Sequence, residues 1–258
     1  MNRITQLFQN KKQDILNVYF TAGFPDLNDT VKILTALDEG GADLIEIGMP
    51  YSDPVADGET IQLSNQKALD NGMSVKLLFE QLKDIRKTVN VPILLMGYIN
   101  PVLQYGIEAF CKKCQEVGVD GLILPDLPVD VYEEEYKSIF EQYNLLNTFL
   151  ITPQTSDVRI NHIDNISNGF IYMVSSASTT GAKTGISEEQ EAYFAKVNAM
   201  NLKNPRLIGF GISNHESFKK ASSNAQGAII GSAFIKVLNE STNLEKDIKS
   251  FVHSIKYA

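Results

Sequence analysis

The run "ADLIEIG", Ala42 to Gly48, ends in glycine and carries a glutamate among apolar residues. Side chains of an extended chain alternate between two faces, so Leu44, Glu46 and Gly48 share one face and Ile45 and Ile47 the other. A strand that is apolar on both faces suits a sheet covered on both sides, the habit of parallel sheets. Seven further runs read alike: "NVYFTAG" (17–23), "VPILLMG" (91–97), "VDGLILPD" (119–126), "NTFLITP" (147–153), "GFIYMVS" (169–175), "RLIGFG" (206–211) and "GAIIGS" (227–232). Between them the apolar positions take helical spacing. Val75, Leu78, Leu82, Ile85 and Val89 form one such series, and Leu244, Ile248, Phe251 and Ile255 another. Eight strands alternating with helices predict a (β/α)8 TIM barrel, one domain over 1–258, in preference to a doubly wound open sheet. The segment around Ile4, Leu7 and Phe8 reads as an extra N-terminal helix placed to plug the barrel floor.

A chain of 258 residues has ample material for one such core, and 43% apolar with 21% charged residues is ordinary for a globular protein. The net charge of −8 leaves no basic surplus for a nucleic-acid backbone. The opening "MNRITQLFQNKKQD" lacks the apolar centre of a secretory signal, and no run approaches the roughly 18 apolar residues of a membrane span. The expectation is a cytoplasmic protein with neither nucleic-acid nor membrane partners. Cys111 and Cys114 fall on the same helical stripe as Ile107, Phe110 and Val117. With no second CxxC and no suitable histidine nearby, they read as reduced thiols in a core rather than as a redox or metal site.

In a barrel of this kind, chemistry gathers at the C-terminal ends of the strands. Glu46 lies near such an end on the inward face. A carboxyl held in a partly apolar mouth has a raised pKa and suits proton transfer near neutrality. Asp57 follows eleven residues later in "SDPVADG", a loop shaped by Pro54 and Gly58. An aspartate before glycine is commonly a turn residue, but two carboxylates at one mouth can also divide acid, base and charge-stabilising roles. The seventh run ends in "GFGISN", with Gly209 and Gly211. The eighth ends at Gly231 and Ser232, where the helical "AFIKVL" follows. Glycines let backbone N–H groups close on an anion, and a helix start adds its positive end. These two loops are the recurrent phosphate site of the fold, so the ligand expected here is a phosphorylated small molecule. No GxxxxGK[ST] and no GxGxxG at a first strand points to a nucleotide. The segment 175–190, "SSASTTGAKTGISEEQ", reads as a polar, glycine-punctuated lid. Tyr172, inside the sixth run, needs a partner for its hydroxyl and either fills the core or touches the ligand.

"YFTAGFPD", "DLIEIGMPYSDPVADG", "MGYINP", "YMVSSASTTGAKTG", "GFGIS" and "GAIIGSA" together resemble, in order and spacing, the tryptophan synthase alpha subunit family over nearly the whole chain. The resemblance implies a (β/α)8 barrel that cleaves indole-3-glycerol phosphate to indole and glyceraldehyde 3-phosphate. It implies no cofactor and no metal in this subunit, and a pyridoxal-phosphate-dependent beta subunit as partner in an alpha2beta2 assembly. It further implies Glu46 as acid–base catalyst and Asp57 as stabiliser of charge at the indole nitrogen. Tyr19 would line the indole pocket and Tyr172 would be the active-site tyrosine of the sixth strand, Thr180 and Gly181 would belong to the mobile loop, and Gly211, Gly231 and Ser232 to the phosphate site. Tyr19 stands where the family usually has phenylalanine, and Ser178 and Thr179 where it usually has glycine and valine. Three other readings are a catalytically silent barrel regulating a beta partner, a lyase acting without that partner, and another phosphosugar barrel such as an isomerase. Glu46 and Asp57 argue against the first, and "EIGMPYSDPVADG" against the last.

Overall fold

The computed structural model describes residues 1–54, 57–175, 187–209 and 211–257. Its strands are β1 (Ile15–Thr21), β2 (Leu44–Gly48), β3 (Ile93–Met96), β4 (Gly121–Ile123), β5 (Leu146–Thr148), β6 (Leu150–Ile151), β7 (Ile171–Val174), β8 (Arg206–Gly209) and β9 (Gly227–Ile230). All pair in parallel, in the order β5-β4-β3-β2-β1-β9-β8-β7-β6. The two ends of that order are consecutive pieces of one stave, parted by Phe149 alone. The Leu146 N–H donates to the Asp120 carbonyl (3.1 Å) on one side, and the Phe149 carbonyl accepts from the Tyr172 N–H (2.9 Å) on the other. The sheet therefore closes into a TIM barrel.

The eight expected runs are all present as staves, with the fifth broken in two. The Phe149 ring turns outward to meet Tyr132, with centroids 5.2 Å apart. The runs 119–126 and 147–153 are shorter as strands than as apolar stretches, because Pro125 and Pro153 have no N–H to give to a ladder. The series from Val75 to Val89 is likewise interrupted: a helix Val75–Leu82 gives way to a separate 3₁₀ turn, Ile85–Lys87.

Side-chain alternation sorts the core into two clusters. Ile15, Leu44, Leu94, Ile123, Phe170, Leu207 and Ile229 fill the barrel, while Ile45 and Ile47 face the surrounding helices. The N-terminal helix Arg3–Asn10 drives Ile4 and Phe8 into the inner cluster from below, with the Phe8 ring 5.7 Å from that of Phe170. This is the expected floor plug. Asn2 caps the helix by accepting from the Ile4 N–H (2.9 Å), and its amide donates to the carbonyls of Asp120 (2.7 Å) and Asn144 (2.8 Å). Cys111 and Cys114 are buried free thiols in the helix Ile107–Val117, and burial pushes the Cys111 pKa up to about 12. Among the described residues no helix is long and apolar enough to cross a membrane.

Two carboxylates hold the lower rim. Asp43 accepts from the Leu16 N–H (2.8 Å), from Lys11 Nζ (2.7 Å) and from Lys256 Nζ (2.9 Å). Asp120 accepts from Arg3 (2.9 Å), Arg86 (2.5 Å) and the Ile93 N–H (2.9 Å), and its side chain is 4% exposed. Removing one partner of a buried ion pair strands the other charge. Asp120→Ala should therefore destabilise the fold by about 3–5 kcal/mol, read as a lowered urea midpoint with an unchanged slope. A loss under ~1 kcal/mol would mean that the pair behaves as a surface salt bridge.

Candidate active site

The site is built on neighbouring inner faces. Parallel pairing sets Tyr19 of β1 in register with Glu46 of β2. Glu46 is fully buried. Its Oε1 accepts a hydrogen bond from the Asn17 amide, and its Oε2 has no partner among the described residues. Burial raises the Glu46 pKa to about 8, with the Asn17 hydrogen bond opposing the rise. A carboxyl in this setting is protonated at neutral pH and can still release its proton.

Asp57 precedes the helix Glu59–Asp70 and is partly buried. Gln62 ties its carbonyl (2.7 Å), and the Tyr98 hydroxyl donates to its Oδ2 (3.2 Å). Burial lifts its pKa above the ordinary carboxylate value, and Tyr98 works against that lift. Tyr98 is itself seated against Tyr51, with ring centroids 5.1 Å apart. Burial also raises the pKa of Tyr19, with Asp57 next in effect and Glu46 contributing. For Tyr172 burial again leads, followed by Glu46, Tyr19 and Asp57. The two carboxylates and the two tyrosines thus lie within one another's electrostatic field, and both phenols stay neutral in the working range.

Glycines make room for these rings. A Cβ at Gly48 would collide with the Tyr19 hydroxyl, and one at Gly209 with the Tyr172 ring. Above β8, Gly211 has φ +76°, the left-handed region that favours glycine. Above β9, Gly231 precedes the helix Ser232–Glu240 with no side-chain cap, so the first-turn N–H groups have no intrahelical acceptor. A Cβ on Gly231 would stand 3.4 Å from Tyr19, which sets this helix start beside the aromatic wall.

The structure thus brings Glu46, Asp57, Tyr19 and Tyr172 together and puts Gly211, Gly231 and Ser232 on the two adjacent staves. Thr180, Gly181, Ser178 and Thr179 lie outside the described residues. Two contributors were missed in the sequence: Asn17 and Tyr98. The signal for Asn17 was its parity, two residues before inward Tyr19. The signal for Tyr98 was its place just past a strand end, in "MGYINP". Among the described residues no group of three His, Cys, Asp or Glu side chains is arranged to hold a metal ion.

Residues 5–256 match the family model of the tryptophan synthase alpha chain. The tryptophan synthase alpha chain of Flavobacterium johnsoniae is 61% identical over 99% of this chain and 100% of its own length. That of Parabacteroides distasonis is 53% identical over 99% and 100%. A solved tryptophan synthase subunit alpha from Legionella pneumophila superposes with a TM-score of 0.89 at 30% identity, covering 99% of this chain and 97% of that one.

The Glu46 pKa makes stability depend on pH. Between the ordinary carboxylate value and about 8, the folded chain keeps a proton that the unfolded chain has released. Stability from this group therefore falls by ~1.4 kcal/mol per pH unit as pH rises through that window, and levels off above it. Glu46→Gln has nothing to ionise there and should gain on the parent steadily from pH 5 to pH 8 in urea unfolding. A margin that stays constant over that range would mean an ordinarily solvated carboxyl.

Proposed function

The chain belongs to the tryptophan synthase alpha chain family, and on that premise we propose how its residues divide the family's reaction, the cleavage of indole-3-glycerol phosphate to indole and glyceraldehyde 3-phosphate. Protonated Glu46 gives its proton to indole C3, and the positive charge that develops on the ring is relieved at the ring nitrogen by the Asp57 carboxylate. The Glu46 carboxylate then takes the proton of the glycerol hydroxyl. As that O–H bond breaks and the carbonyl forms, the bond to C3 cleaves and its electrons return to the ring. Glu46 ends protonated, as it began, and neither redox chemistry nor a cofactor is needed for the balance. The observation that carries this reading is Glu46 itself: a fully buried carboxyl with a pKa of about 8 and one oxygen without a partner among the described residues.

Tyr19 and Tyr172 supply flat walls for the indole. The phosphate is received by backbone N–H groups at Gly211, Gly231 and Ser232. Thr180 and Gly181 are assigned to closure over the substrate. The family implies a beta subunit. An alpha2beta2 assembly with a pyridoxal-phosphate-dependent partner, in the cytoplasm, is part of the proposal. Its seat is the loop after β2 and the helix Ile99–Tyr105, where Leu103 is 46% exposed. The Tyr51–Tyr98 pair links that surface to Asp57, so a partner resting there can bear on the carboxylate.

Glu46→Gln should abolish indole release, because its proton transfer matters only in the transition state, while leaving the affinity for glycerol phosphate within about threefold. Near-full turnover in that variant would remove Glu46 from the chemistry. Gly231→Asp introduces a carboxylate at a helix start with no left-handed backbone strain, since φ there is −120°. Calorimetry should show glycerol phosphate binding lost with the fold intact. Unchanged affinity would move the phosphate elsewhere.

A further inference from the structure

We propose that Asn17 is a positioning residue for this reaction: its amide pins Oε1 of Glu46 and leaves Oε2 as the oxygen that exchanges protons with the substrate. The inference rests on the reading of Glu46 as the proton-transfer group. Asn17 is fully buried on the inner face of β1. Its Nδ2 donates to Glu46 Oε1, while its own Oδ1 and Glu46 Oε2 have no partner among the described residues. The surrounding inner surface is largely apolar, with Leu44, Leu94, Ile123, Phe170, Leu207 and Ile229 in one cluster. A leucine would fill the same place without leaving a buried amide half satisfied, so packing does not explain the residue. The titratable groups facing Glu46 are Tyr19 from β1 and Tyr172 from β7, with Asp57 in the field of both. Burial keeps both phenols neutral, and among the described residues no positive side chain acts on the carboxylate. A hydrogen bond donated to a carboxylate favours its ionised form, and Asn17 thereby offsets part of the burial that resists it. The same contact fixes the carboxyl rotamer. A group that must give a proton and take one back within a single turnover needs both effects.

The test pairs Asn17→Leu with a direct titration of Glu46, by carbon-13 NMR of protein labelled at glutamate carboxyls. The Glu46 resonance is the one lost in Glu46→Gln. In the leucine variant its titration should move up by about one pH unit, the size expected for losing one hydrogen bond to a charged group. The turnover number for indole release should fall ~10-fold with KM within about twofold, as for an interaction made only in the transition state. The alkaline limb of the rate profile should move up in step with the carboxyl. If leucine prevents folding, as judged by circular dichroism, Asn17→Val serves the same comparison. A Glu46 titration that stays put overturns the inference whatever the rates do, and leaves the reading of Glu46 standing. A titration that moves while indole release is unaffected at every pH removes Glu46 from proton transfer, and both readings fall together.

Discussion

The parallel pairing of β1 with β2 fixes which side chains share the barrel interior, and the mouth is assembled from that choice. With Tyr19 opposite Glu46, the inner file of β1 runs Ile15, Asn17, Tyr19, and that of β2 runs Leu44, Glu46, Gly48. A slip of β2 by one residue would turn Leu44, Glu46 and Gly48 to the helix side, where Ile45 and Ile47 now pack. The register therefore puts a carboxyl, an amide and a phenol at neighbouring heights in one apolar shaft, and Gly48 clears the space into which the phenol leans. The helix starting at Ser232 arrives at this wall because β9 pairs with β1 on the other side.

The two acids are raised by the same cause, burial, in different settings. Glu46 is fully buried and accepts from a neutral amide, whereas Asp57 rests on a loop, partly solvated, against a tyrosine hydroxyl. Carboxyls in unlike environments can divide acid and charge-stabilising roles. Burial also sets function against stability. The interior that tunes Glu46 is the interior that holds the barrel together, and a deprotonated carboxylate there opposes the packing around it.

The barrel was legible in the sequence because strands apolar on both faces, alternating with helical periods, have few other homes. Glu46 was legible from parity within "ADLIEIG". Asn17 was not, because its meaning depends on which residue of another strand comes alongside, and register between strands is not written in either one. Tyr98 escaped for a similar reason: a loop side chain acquires a role only when a second loop, carrying Asp57, folds over to it. The series Val75 to Val89 read as one helix because α and 3₁₀ windings both bring residues i and i+3 near one face, so periodicity passes over the change. At Phe149 the stave's ladder passes from β4 on one side to β7 on the other, a change of partner that no local pattern encodes.

Asp43 has a consequence for the order in which the chain can become a barrel. It accepts from Lys11 near the start and from Lys256 near the end, so the same carboxylate binds segments 32 residues before it and 213 after it. Closing so long a span is slow compared with forming any single strand–helix–strand unit, because the loop entropy is lost before the contact is gained. A nascent chain can thus pair β1 with β2 early, while the seam between β1 and β9 waits for the last strand. Until β9 docks, β1 presents an open edge, and the protein is exposed to strand exchange with a second copy at that seam.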